Sequence, residues 1–146
     1  MKIKNRKISR NFKVFETFEA GIVLLGSEVK AIRLGHVDLN SSYVKILGLE
    51  AFLVNAKIFP YQFSRVENYD EQRTRKLLLH KKEILGLKSK MDEKNMTLVP
   101  ISIYEKNGHF KLEIALSKGK KAYEQKKDSK RKVLERVQER ELKNSF

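Results

Sequence analysis

Apolar and polar positions alternate most clearly near the end of the body of the chain. Phe110, Leu112, Ile114 and Leu116 alternate with Lys111, Glu113, Ala115 and Ser117, the period of a strand with one buried face. Lys106-Asn107-Gly108 precedes this run, and Asn-Gly is the strongest short hairpin signal, with Thr97 to Tyr104 as the partner strand. Upstream, Phe12 to Glu19 and Gly21 to Leu25 are rich in aromatic and β-branched residues and predict a strand bent near Gly21. Ser42 to Leu47 and Ala51 to Ile58 flank Gly48-Leu49-Glu50, a second hairpin pattern. Two segments change period. Glu28 to Leu34 predicts a short helix, with Ser27 as N-cap and Gly35 as its stop. His80 to Lys94 predicts another, because Ile84, Leu87 and Met91 fall on one face. Pro60 to Tyr69 reads as a loop.

Five or six strands and two interposed helices within residues 1–117 predict a mainly β fold. The expected form is a small OB-like β-barrel, closed or nearly so, with two or three flanking helices, since closure removes exposed strand edges. An open α+β sheet satisfies the same pattern.

Charge divides the chain differently. Residues 1–117 hold 21 Lys and Arg against 13 Asp and Glu, whereas residues 118–146 hold 11 against 5. The large apolar residues of that last segment are Tyr123, Val133, Leu134, Val137, Leu142 and Phe146, too few to offset the entropy of ordering it. Glu135, Glu139 and Glu141 stand among basic residues at helical spacings. The expectation is a barrel over 1–117 and a basic tail over 118–146, disordered when free and helical against a partner. A merely solubilising tail has the same composition.

The net charge of +14 over 146 residues favours a polyanionic partner such as RNA or DNA. Zero cysteines exclude disulfides, cysteine nucleophiles and thiolate metal sites. The longest stretch without a polar side chain, Ala20 to Gly26, is far shorter than the roughly 20 residues of a membrane-spanning helix. The basic start Met1-Lys2-Ile3-Lys4-Asn5-Arg6-Lys7 lacks the apolar region of a secretory signal. His36, His80 and His109 are scattered, and no phosphate-loop, dinucleotide or serine-hydrolase motif occurs. Binding therefore outweighs catalysis, with no metal or cofactor expected.

Three basic clusters fit RNA: Asn5-Arg6-Lys7 with Arg10, then Arg73, Arg75 and Lys76 ahead of a helix start, then Lys118, Lys120 and Lys121 around Gly119. Each taken singly is also what a solvated charged face looks like. Glu19 could accept a hydrogen bond from a base amino group, or pair with a nearby lysine at a strand end. Tyr123 could stack on an unpaired base, or anchor the tail to the barrel.

Several segments together carry a family resemblance: Asn5-Arg6-Lys7, Glu19-Ala20-Gly21-Ile22-Val23-Leu24, Gly26-Ser27-Glu28-Val29-Lys30, Arg33-Leu34-Gly35, Arg73-Thr74-Arg75-Lys76-Leu77-Leu78-Leu79-His80-Lys81, Leu98-Val99-Pro100, Lys106-Asn107-Gly108 and Lys118-Gly119-Lys120-Lys121. In this order and spacing the chain resembles the SsrA-binding proteins, also called small protein B. The resemblance implies an OB-like barrel that binds the tRNA-like domain of transfer-messenger RNA near its D-loop. It implies a non-enzymatic, cytoplasmic adaptor that enters ribosomes stalled on messages without a stop codon, working mainly on the small subunit and indirectly with elongation factor Tu. Asn5, Arg6, Lys7, Glu19, Arg73, Arg75, Lys76, Leu78 and His80 are then candidates for the RNA face. Lys118, Lys120 and Lys121 become candidates for RNA or ribosome phosphates, and Tyr123, Glu124 and Lys126 for the decoding centre. The family commonly has Asp-Lys-Arg where this chain has Glu124-Gln125-Lys126, and Ala-Arg-His where it has Ile8-Ser9-Arg10. A general RNA-binding or ribosomal OB protein is the alternative within binding proteins.

Overall fold

The computed structural model describes residues 2–119. Along them run β1 (Lys2–Lys4), α1 (Ile8–Asn11), β2 (Phe12–Ile22), α2 (Gly26–Arg33), β3 (Val37–Asp38), β4 (Tyr43–Leu47), β5 (Glu50–Val54), β6 (Lys57–Ile58), β7 (Arg75–Leu78), α3 (Lys81–Lys94), β8 (Thr97–Lys106) and β9 (His109–Gly119). Strands β8, β4, β5, β7, β2 and β9 are hydrogen-bonded in that order, and β9 returns to β8. The sheet is thus a closed ring, antiparallel throughout. It is the OB-like barrel expected, and closure disposes of the open-sheet alternative. β1 adds to β8 through Lys2↔Tyr104 and Ile3↔Ile103, while β3 and β6 form a separate small ladder.

Turn chemistry sets the registers. Asn107 and Gly108 both have positive φ, +53° and +79°, the pair of left-handed residues a type I′ turn requires. They bring Lys106 opposite His109. β4 and β5 meet through Leu47↔Glu50, so the turn is Gly48-Leu49 alone and Glu50 belongs to the strand. Phe110, Leu112, Ile114 and Leu116 of β9 all point into the barrel and are buried, as their alternation requires. Ala115, on the opposite face, is also buried, because α1 lays Ile8 over it beside Val99.

Several expected boundaries move. β2 runs unbroken to Ile22, and its irregularity is a bulge between Val14 and Glu16 rather than a bend at Gly21. Ser27 lies inside α2; the residue before the helix is Leu25, whose N–H donates to Glu28 Oε1 at 2.9 Å. Gly35 does end that helix, at φ +78°, with Gly35 N–H on the Ile32 carbonyl and His36 N–H on that of Ala31, a Schellman closure. The run Ala51 to Ile58 breaks at Asn55, where φ is +65°, and yields β5 and β6. α3 agrees with its pattern, burying Ile84 and Leu87. β9 carries Lys118 and Gly119 into the sheet, past the expected boundary at 117.

Candidate nucleic-acid interface

β7 crosses the barrel wall with Arg75 and Leu77 inward and Lys76 and Leu78 outward. Leu78 sits opposite Gly21 on β2 and remains 56% exposed. That approach is close: a Cβ on Gly21 would lie 3.1 Å from the Leu78 Cβ, so any larger residue would have to push Leu78 aside. Past Leu79 the chain turns into α3, with His80 at the position before its first residue and its ring exposed. An open groove of about 780 Å³ follows, lined by Glu19, Gly21, Lys76, Leu78, His80 and Lys111 among others. Leu49, Leu77, Leu79 and Ile84 line it together with side chains of both charges. Four of the residues expected on the RNA face, Glu19, Lys76, Leu78 and His80, therefore converge in one place.

Glu19 is exposed on the outer face of β2, directly opposite Glu113 of β9. The Tyr104 hydroxyl donates to its Oε2, and Lys106 Nζ lies 3.5 Å from its Oε1. That hydroxyl, with Lys106 and Lys111, outweighs desolvation and holds the Glu19 carboxyl below the usual range. Ionised, it is an acceptor only, with lone pairs remaining for an amino group. Lys76 Nζ stands 3.7 Å from Glu50 in an exposed pair, a contact that gives way readily to a phosphate.

Arg75 does not belong to this surface. It is wholly buried, and its N–H groups are all taken: Nε by Glu28 Oε2 at 2.8 Å, Nη1 by the Ala56 and Arg73 carbonyls, Nη2 by Tyr69 Oη and the Glu71 carbonyl. Five donors meet five acceptors, so none is left for RNA. Arg73 also grips Glu28, through Nε at 3.1 Å and through Nη2 on Oε1. Burial alone would raise the Glu28 carboxyl, but hydrogen bonds from Arg73, the Leu25 N–H and Arg75 hold it below its ordinary range. Tyr69, half-buried and hydrogen-bonded to the same carboxylate, is pushed up to about 12 by desolvation and by that carboxylate. The basic run thus splits: Arg75 and Arg73 bind the fold together, and Lys76 faces outward.

Asn5 likewise ties backbone, donating to the carbonyls of Leu39 and Pro100 at 3.2 and 3.0 Å. Arg6, Lys7 and Arg10 are exposed beside it. Phe12↔Gly119 and Lys13↔Lys118 place Lys118 near this arm. Lys13 and Gly21 stand at opposite ends of β2, about 27 Å apart at roughly 3.4 Å per residue, so the basic end and the groove are distinct regions. Lys120, Lys121, Tyr123, Glu124 and Lys126 lie outside the described residues. Tyr104, Lys106 and Lys111 were not expected at the site. Their signal is the β8–β9 register fixed by Asn107-Gly108, which sets Tyr104 across from Lys111.

A closed OB-like barrel with a basic arm and an open groove of mixed polarity belongs to the nucleic-acid-binding barrels. A profile of the SmpB protein family matches residues 2–144, and the chain belongs to that family. It is 46% identical over 144 residues to the SsrA-binding protein of Aquifex aeolicus (strain VF5), covering 98% of this chain and 92% of that protein. The SsrA-binding protein of Persephonella marina (strain DSM 14350 / EX-H1) is 48% identical over 142 residues, with 97% and 91% covered. Among solved structures, a chain from "tmRNA-SmpB: a journey to the center of the bacterial ribosome" superposes with a TM-score of 0.69 at 42% identity. That match covers 83% of this chain and 85% of the other.

Proposed function

We propose that this protein binds the tRNA-like domain of transfer-messenger RNA and delivers it to stalled ribosomes in trans-translation. Family membership supplies the RNA, and the convergence of Glu19, Leu78 and His80 in one groove is the observation that carries the reading onto this chain. Leu78 offers an apolar surface for an unstacked base, Glu19 an acceptor for a base amino group, and His80 and Lys76 donors for the backbone beside them. Covering the exposed part of Leu78 contributes on the order of 1 kcal/mol. Arg6, Lys7 and Lys118, at the far end of β2, serve RNA or ribosome phosphates.

The protein acts as an adaptor without chemistry of its own, in the cytoplasm. It works mainly on the small subunit and meets elongation factor Tu through the RNA. Residues 120–146, with Tyr123, Glu124 and Lys126, reach the decoding centre. Reconstituted ribosomes stalled on a message without a stop codon test this. Adding the full chain with transfer-messenger RNA should yield tagged product, and Tyr123→Ala should bind the RNA normally but tag poorly. Absence of tagging with wild-type protein, despite bound RNA, would sink the proposal.

A further inference from the structure

Glu19 and Glu113 face each other across β2 and β9 on the outer surface of the barrel. Like charges in directly opposed positions destabilise a sheet, so the placement needs compensation. Three strands supply it. From β8, Tyr104 donates its hydroxyl to Glu19 Oε2, and Ser102 donates to Glu113 Oε2 at 3.2 Å. Lys106 approaches Glu19 Oε1 at 3.5 Å, while Lys2 of β1 lies 3.9 Å from Glu113 Oε2 and 5.9 Å from the Tyr104 ring centre. Lys111 adds its charge from β9.

These partners are not equivalent as positioners. Lysine is a flexible point charge and constrains direction weakly. The phenol is a rigid ring on a paired strand, half-buried between Lys2 and the sheet, and its O–H defines one direction at the carboxylate. We infer that Tyr104 is a specificity-positioning residue: its hydroxyl, bonded to Oε2, fixes the rotamer of Glu19, so that Oε1 is presented to a base amino group. This deepens the function proposed above and rests on Glu19 being the base-reading group. The Tyr104 hydroxyl, pushed up to about 12 by burial and the Glu19 bond, keeps its proton and so remains a donor to the ionised carboxylate. Lys106, by contrast, supplies charge without direction.

The test is competition by ordinary tRNA against labelled tRNA-like domain at about 150 mM salt, using full-length protein. Wild type, Glu19→Ala, Tyr104→Phe and the double variant are compared, with random RNA as the measure of non-specific binding. Tyr104→Phe keeps the ring and its packing. It should lower the preference for the cognate domain about tenfold, or 1.4 kcal/mol, while thermal stability and random-RNA affinity stay unchanged. In the Glu19→Ala background the same change should have less than a twofold effect. If Tyr104→Phe keeps the preference while Glu19→Ala loses it, the positioning role falls and the groove reading stands. If Glu19→Ala keeps it too, the reading of Glu19 falls first. Equal Tyr104→Phe effects in both backgrounds, or a matching loss on random RNA, overturn the inference as well.

Discussion

The guanidinium of Arg75 and the carboxylate of Glu28 meet in the interior, Nε to Oε2 at 2.8 Å, with both side chains fully buried. The pair ties β7 to α2 and fixes the strand that presents Lys76 and Leu78. Removing Arg75 would leave Glu28 with Arg73 as its cation, but it would halve a buried ion pair and strand the Ala56 and Glu71 carbonyls, at a cost of about 3–5 kcal/mol. Arg75→Met should lower unfolding stability by that amount in urea, while the protein that remains folded keeps its RNA affinity. Unchanged stability with lost binding would make Arg75 an RNA contact after all.

Glu28 makes stability depend on acid. Its folded carboxyl lies below the ordinary value of 4.5, so its contribution is complete above that value and is lost as pH falls through the lower, folded one. Urea midpoints should therefore decline below about pH 4.5. In Glu28→Gln, already weakened at neutral pH, the decline should be shallower by this group's share. Parallel pH curves for the two proteins would remove Glu28 from the account.

Lys76 should behave oppositely to its neighbour Arg75. Its ammonium is exposed and only loosely paired with Glu50. Lys76→Ala should leave the melting temperature unchanged, weaken all RNAs alike and make the slope of log K against log salt shallower by about 1. A slope that does not move would place Lys76 away from phosphate.

Why Arg75 and Lys76 look alike in sequence is a matter of distance along the chain. The alternation Arg75, Lys76, Leu77, Leu78 is that of a strand, inward then outward, yet an inward arginine reads as surface until its acid is known. Glu28 is remote in sequence and sits in a different element. Local signals served well where they were complete in themselves: Asn107-Gly108 for the hairpin, Gly35 for the end of α2, and Ile84, Leu87 and Met91 for the face of α3. β3 and β6 have two residues each and β1 three, too few to show a period. The groove was legible as separate residues only. Leu78 over Gly21 follows from a β2–β7 pairing that periodicity cannot supply.

Gly21 is the sharpest probe of that pairing. In Gly21→Ala the new methyl would press on Leu78 Cβ at 3.1 Å, and exposed Leu78 can shift by tenths of an ångström. Stability should fall by less than about 1.5 kcal/mol, with a several-fold loss of affinity for the tRNA-like domain as the groove lining moves. Full affinity would show that the Leu78 position is immaterial to RNA.

The proposed function puts selectivity for the tRNA-like domain of transfer-messenger RNA in one groove of this barrel. The most direct measurement is three-way competition at about 150 mM salt among that domain, ordinary tRNA and unstructured RNA, for wild type and Leu78→Ala/His80→Ala. Wild type should prefer the cognate domain about a hundredfold, or 2.7 kcal/mol, and the double variant should lose most of that preference while random-RNA binding persists. Three RNAs competing alike for the wild-type protein, or a preference untouched by emptying the groove, would contradict that placement.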